Sequence, residues 1–186
     1  RLRLADPAAA VAAARALPNA EVVAPRARAQ VLLAMGTRVV PVEAVGVDPA
    51  VEPRAFRFVR AVAEGRWLRP DEAPGGAVVG QAVADRLQAG LGDEILATAV
   101  GRAGRIENGM LRIVGIVRSG SEEIDASICQ VTLAEMERLT RLPGAGEVTV
   151  ILSDHRTAAA ARAALAARVA PGDDVLSFHE LAPEFE

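Results

Sequence analysis

The sequence holds a single cysteine, no lysine and no tyrosine, and aromatic residues make up only 3% of it. With Cys129 alone, an internal disulfide framework and every multi-cysteine metal site are excluded. The run Ile128-Cys129-Gln130-Val131 alternates, the pattern of a buried structural thiol. Sparse aromatics deny stacking platforms to bases, and Trp67, with no other aromatic residue close in sequence, reads as a core anchor. A formal net charge of −3 and a pI near 5.5 provide no basic field for a phosphate backbone, so the composition argues against nucleic acid as a partner. All 21 basic residues are arginine, which together with the alanine load reads as GC-rich coding bias. No apolar run approaches the roughly 18 to 20 residues of a membrane-spanning helix.

What is present is enough for a core. The chain has 186 residues, 51% of them apolar, and a mean hydropathy of +0.23, which suits one domain or two small subdomains. Much of that apolar content is alanine, a good helix former that buries little area. The chain begins at Arg1, already inside a strand-like pattern and without a signal peptide, and reads as a segment of a longer protein.

Both ends follow one grammar. Leu2-Arg3-Leu4 alternates like a strand, Asp6-Pro7 starts a helix over 8–17, and strands are expected at 21–24, 26–34 and 38–45, with a hairpin turn at Gly36-Thr37. Near the other end a strand at 148–152, an Asp154-capped helix over 155–169 and a strand at 174–178 repeat the pattern. Side by side, two such β-α-β units make a four-stranded sheet with two helices on one face. Such a layer brings the first and last parts of the chain together.

The middle differs. It predicts a helix from Pro53 to Gly65, a strand at 76–80, a helix at 81–88, strands at 94–100 and 110–117 around a glycine-punctuated tip at 101–109, a strand at 128–132 and a helix at 133–142. The fold class is therefore α+β: a porter-like subdomain of residues 1–47 and 143–186, with an inserted, mainly β subdomain of residues 48–142.

Candidate chemistry is thin. His155 and His179 lack partners at metal-ligand spacing. Ser153-Asp154-His155 has the residue types of a hydrolase triad, but consecutive side chains diverge. Gly101, Gly104 and Gly109 match neither dinucleotide nor Walker spacing and suit a hairpin tip. Glu122, Glu123 and Asp125 read as solvated loop charge, lacking the turn glycine of a calcium loop. No catalytic, cofactor or metal residues are assigned.

The order of segments is more telling. Val45-Gly46-Val47-Asp48-Pro49 with Glu52, then Gly65-Arg66-Trp67-Leu68, then residues 77–87 (AVVGQAVADRL) and Gly92-Asp93 resemble the MacB-like periplasmic core domain of FtsX-like ABC transporter permeases. Ile113-Val114-Gly115-Ile116-Val117, the loop at 120–125 and the closing residues 177–185 resemble it too. Among these permeases it is most similar to the lipoprotein-releasing LolC/LolE type, although Phe178 stands where a tryptophan is expected. The resemblance implies a non-enzymatic domain on the periplasmic side of the inner membrane, joining transport to ATP bound by a separate subunit, with no cofactor of its own. Implied partners are that ATPase subunit, a second permease subunit, and a periplasmic carrier or adaptor. In the lipoprotein-releasing system a hook loop engages the carrier. The corresponding stretch here is short and not proline-rich, and its Arg102, Arg105, Ile106, Glu107 and Asn108 are the candidate partner-binding residues. Two other classes stay open: a free-standing periplasmic ligand-binding or chaperone protein, and a hydrolase of unfamiliar design using Ser153, Asp154 or His155.

Overall fold

In the computed structural model, which describes residues 4–181, the longest strand serves two sheets' worth of partners. β1 (Ala20–Met35) runs straight through Pro25 and turns at Gly36-Thr37 into β2 (Arg38–Val47), pairing in register from Arg26↔Val47 to Met35↔Arg38. Gly36 holds φ at +58°, a left-handed conformation that glycine adopts without steric cost and that tight hairpins demand. On its other edge β1 takes two partners in succession. Residues 20–26 pair with β8 (Glu147–Leu152), and residues 31–34 pair with β5 (Glu94–Val100).

The remaining strands close a ring. β4 (Gly76–Gly80), β6 (Ile106–Val117) and β7 (Cys129–Thr132) complete the order β1-β2-β7-β4-β6-β5, and β5 returns to β1. A closed ring leaves no edge within the barrel for stray pairing. Alternation fills its inside with Val31, Leu33, Val42, Ile95, Leu111, Ile113 and Val131, and with small residues such as Ala27, Ala44, Ala97 and Ala99. Cys129 lies fully buried among them, and burial pushes its thiol up to about 12, so it is a packed and inert group. Helices α3 (Gln81–Leu87) and α5 (Leu133–Thr140) add Val83, Leu87, Met136 and Leu139 to the same core.

The two ends of the chain meet outside the barrel. α1 (Pro7–Arg15) begins where Asp6 accepts a hydrogen bond from the Ala9 N–H at 2.9 Å. α6 (Ala158–Ala166) follows a short 3₁₀ turn, His155–Thr157, in which the Arg156 N–H donates to the Asp154 carboxylate at 3.0 Å. Ala14, Leu17, Val23, Ala161 and Leu165 pack as one cluster between these helices and the β1–β8 pair. Ala5 N–H donates to both carboxylate oxygens of Asp173 at 3.2 Å, so the first and last parts of the described chain lie side by side.

Three local expectations give way. The helix expected from Pro53 to Gly65 is instead a short α2 (Glu52–Ala55), a 3₁₀ turn Arg57–Ala61 and β3 (Val62–Gly65), which pairs with β6. Its helical spacing is overridden because Phe56 adopts an extended conformation and stacks over Arg26, while Phe58 and Val62 turn to the barrel's outer surface. Residues 174–177 form no strand: the Val175 carbonyl accepts from Arg162 Nε, Ser177 N–H and Oγ donate to Glu180, and α7 (Phe178–Leu181) follows. The four-stranded terminal sheet is thus represented by β1 and β8; Leu4 is irregular, and residues 1–3 and 182–186 lie outside the described range. The acidic loop is a helical turn, α4 (Glu122–Asp125), in which Asp125 is buried and accepts from the Ser119 N–H at 2.8 Å.

α4 packs so closely on β4 that a Cβ on Gly80 would sit 1.9 Å from the Asp125 carbonyl oxygen and 2.8 Å from its Cα. Backbone cannot yield as a side chain can. Gly80→Ala is therefore expected to lower unfolding free energy by about 3 kcal/mol in urea titrations. Gly90→Ala, whose Cβ would meet only Asp93 Oδ2 at 3.9 Å, should stay near wild type. Equal stability of the two variants would refute this packing.

Candidate functional site

The five residues singled out at the 101–109 tip do not converge on one point. Arg102 lies in a 3₁₀ turn, Arg102–Gly104, that joins β5 to β6. Arg105 and Ile106 project into solvent, while Glu107 is drawn back by ion pairs of 3.7 Å to both Arg105 and Arg141. Asn108 accepts a hydrogen bond from Thr98 Oγ1 at 2.8 Å, directly across from it on β5. Alternation along β6 turns Ile106, Asn108 and Met110 outward and Leu111 inward, so only part of the set shares a face.

Neighbouring strands extend that outward face. Leu32 of β1, Val39 of β2, Leu96 and Val100 of β5, and Ile106 and Met110 of β6 are exposed to between 39 and 71%. The pairings Leu32↔Thr98, Ala34↔Val39, Leu96↔Met110 and Val100↔Ile106 make them contiguous. The signal in the sequence is an inverted alternation in the second part of β5: Ala97 and Ala99 take buried positions while Leu96 and Val100 take exposed ones.

A second group of residues meets where barrel and terminal layer join. Arg26 is buried and pairs on both edges, with Val47 of β2 and Glu147 of β8. Its Nη2 lies 3.0 Å from Oε1 of the buried Glu52, its Nη1 lies 3.6 Å from Glu147, and its guanidinium sits 4.2 Å from the centre of the Phe56 ring. The 3.0 Å contact is an ion pair without hydrogen-bond geometry, so Arg26 Nε and both Glu52 oxygens have no hydrogen-bond partner among the described residues. Burial raises the Glu52 pKa against the opposing pull of Arg26, and burial lowers that of Arg26. Both directions say that mutual attraction falls short of the desolvation cost.

The segments carrying the family resemblance gather at this junction and beside it. Asp48 Oδ1 accepts from the Ala50 N–H, and its carbonyl accepts from the N–H groups of Val51 and Glu52, turning the chain into α2. Trp67 Nε1 donates to the Pro49 carbonyl at 3.3 Å, and the Trp67 ring meets Phe58 edge-on at 6.4 Å. Arg66 clamps Glu72 through both guanidinium nitrogens at 2.6 and 2.9 Å, which fixes the loop after Leu68 and holds the Glu72 carboxyl below its ordinary pKa. Trp67 and Leu68 thereby seal Val45, Val47, Val78 and Val117 on one outer side of the barrel.

Hydrolase geometry is not formed by residues 153–155. The Asp154 carboxylate is bound by the Arg156 guanidinium and N–H, which lower its pKa, and the Ser153 hydroxyl faces the Asn19 carbonyl. Among the described residues no group of three His, Cys, Asp or Glu side chains converges to hold a metal ion. No helix there is long and apolar enough to cross a membrane. An apolar groove of about 710 Å³ lies beside β8, bounded by Leu4, Ala14, Phe56, Leu165 and Val175.

The same arrangement of chain occurs in extracytoplasmic domains of transporters. The fold matches the extracellular domain of the noncanonic ABC-type transporter YknZ from Gram-positive bacteria with a TM-score of 0.70, at 11% identity over 92% of this chain and 89% of that one. It also matches the periplasmic region of MacB from Actinobacillus actinomycetemcomitans with a TM-score of 0.55, at 14% identity over 84% of this chain and 69% of the other. Curated proteins offer no match to the sequence. Residues 2–168 match the model of the MacB-like periplasmic core domain, and the chain belongs to that family, the extracytoplasmic part of ABC-type transporter permeases.

The junction generates a stability test. Arg26→Met or Glu52→Leu alone should cost about 3 to 5 kcal/mol by stranding a buried charge, whereas the double variant should return close to wild type. The folded pKa of Glu52 lies above its ordinary 4.5. Its favourable contribution is then present below that value and lost as pH rises through the folded one. The wild type should therefore lose stability relative to the double variant as pH rises from 4.5, with Arg28 and Glu147 the other charges beside the pair. Additive single-variant losses in a urea double-mutant cycle would contradict this account.

Proposed function

We propose that this chain is a non-catalytic module of an inner-membrane ABC permease, facing the periplasm, that passes the work of ATP hydrolysis to lipoprotein release or to export of another hydrophobic substrate. The observation that carries it is the meeting of the first and last parts of the described chain. Ala5 and Asp173 are hydrogen-bonded, and β1 and β8 are paired, which brings the first and last parts of the described chain together, an arrangement suited to insertion between two membrane helices. ATP binds to a separate ATPase subunit, and the domain uses no cofactor. Its partners are that subunit through the membrane portion, a second permease subunit, and a periplasmic carrier or adaptor met at the 102–108 tip. In this reading the terminal layer, α1 and α6 on the β1–β8 pair, receives the motion, and the barrel delivers it, the expected division at 1–47 and 48–142 giving way because the rest of β1 and all of β2 pair with β5 and β7 inside the barrel.

The open apolar groove beside β8 favours one alternative, a periplasmic ligand-binding or chaperone protein whose ligand is lipidic. The two readings separate experimentally. Replacing residues 5–173 of the full permease by a short linker should abolish cargo transport in reconstituted vesicles while ATP binding to the partner subunit persists. Undiminished transport would overturn the proposal. Micromolar binding of a fatty acid by the chain without any ATPase partner would favour the alternative. His155→Ala should leave transport unchanged.

A further inference from the structure

Along one edge β1 exchanges β8 for β5, and between the two it has no neighbour. Residues 20–26 pair there with β8 and residues 31–34 with β5, so Ala27, Arg28, Ala29 and Gln30 face no strand on that edge among the described residues. At about 3.3 Å per residue, the step from Arg26 to Val31 spans roughly 16 Å. Both partners leave the sheet at this gap. β8 begins at Glu147, just after the Gly146 N–H donates to the Arg26 carbonyl at 2.8 Å, and β5 ends at Val100. Only β2 continues alongside, through the pairs from Ala27↔Gly46 to Gln30↔Glu43. Whatever the terminal layer passes to the barrel along β1 must cross these four residues, which are held from one side instead of two. Backbone with fewer partners opens and bends at lower cost.

One side chain spans the gap. Arg28 stands inside it on the outer face of β1, and its guanidinium reaches both ways: Nη1 lies 2.7 Å from Glu43 of β2, while Nε and Nη2 each lie 3.0 Å from Oε1 of Glu147, the first residue of β8. Terminal layer and barrel are thereby tied across β1. Arg26 holds the same Glu147 through Nη1 at 3.6 Å, so the start of β8 is braced by two arginines. The three side chains of the Glu43–Arg28–Glu147 bridge are 37 to 43% exposed, and ion pairs this open to water add little to folding stability. What a planar guanidinium engaged with two carboxylates does supply is direction. We propose that residues 27–30 are the point at which the terminal layer flexes against the barrel, and that Arg28 is the strut that keeps this joint stiff, a positioning residue. The inference concerns the chain's own mechanics and stands apart from the transport reading; under that reading, a stiff joint is what passes motion on and a loose one dissipates it.

Nitroxide labels at Ala163→Cys on α6 and Arg86→Cys on α3, both exposed, report the joint as a distance distribution by pulsed electron spin resonance. Cys129 is buried and takes no label. The labelled parent chain should give one narrow distribution. Arg28→Gln should widen it at least twofold while circular dichroism and the urea midpoint stay close to those of the parent, as the loss of exposed pairs implies. Glu43→Gln, which frees the barrel end of the strut, should widen it in the same direction. Arg28→Lys, a point charge that serves one carboxylate at a time, should fall between parent and Arg28→Gln. Molar salt screens surface pairs far more than the buried Arg26–Glu52 pair, so it should widen the parent to the Arg28→Gln width and leave Arg28→Gln unchanged. Arg38→Gln, beside the hairpin turn and without an ion pair among the described residues, is the control and should leave the width as it was. A distribution as narrow in Arg28→Gln as in the parent, or equal widening by Arg38→Gln, would overturn the proposal. If Arg28→Gln does not fold, the salt series on the parent decides, and a width indifferent to salt overturns it. None of these readings involves ATPase, membrane or cargo, so the transport reading keeps its own test on the complete permease.

Discussion

A buried arginine holds this molecule's two parts in register. Arg26 is the position at which β1 exchanges one neighbour for another, paired there with Val47 of the barrel and Glu147 of the terminal layer. Its charge is answered by Glu52 from α2 and by the ring of Phe56, so strand, helix and edge strand are all fixed relative to one guanidinium. An apolar trio could fill the same volume and would be at least as stable. It would specify less. Sliding β1 by one residue would turn Arg26 to the opposite face and leave Glu52 buried and unanswered, a cost large enough to select one register.

From that constraint follows the mechanical character of the fold. Because β1 is continuous from Ala20 to Met35, the terminal layer and the barrel are joined by a paired strand rather than by a linker. A displacement applied near Ala5 and Asp173 would reach the barrel through the hydrogen-bonded backbone of β1. Packed β-structure transmits strain because its interior has little free volume. Three of the side chains weighed for chemistry are occupied structurally: Asp154 with Arg156, Asp125 with the Ser119 amide, Cys129 inside the barrel.

Much of the fold was legible in the sequence where local signals and tertiary contacts agree. Asp6-Pro7 starts α1, Gly36-Thr37 turns the hairpin, and the strands near 76–80, 94–100 and 148–152 lie within a residue of their expected bounds. Legibility failed where a distant partner recruits a side chain. Phe56, Val59 and Ala63 have helical spacing, yet Arg26, thirty residues earlier in sequence, draws Phe56 out of the helix. Residues 174–178 read as a strand after the Pro171-Gly172 break, but Arg162 and Glu180 take the polar groups of Val175 and Ser177. Barrel closure was invisible for a related reason: nothing local to β1 tells that one edge will be shared between β5 and β8. The α+β class survives these revisions, as the YknZ and MacB folds attest.

The residues behind the family resemblance and those on the bare face divide the barrel between them. Asp48, Pro49, Glu52, Arg66 and Trp67 build the junction and the sealed side, through a turn, a carboxylate clamp and a tryptophan lid. They are requirements of folding, so a pattern that detects the family detects these. On the other side, Leu32, Leu96, Val100 and Ile106 can change without loss of core, because the inward alanines and Leu33, Ile95 and Leu111 already fill the barrel. A surface free of folding constraints is free to be set by what it touches. Six aliphatic side chains at adjacent exposed positions add little to the core, so the requirements of folding do not account for them.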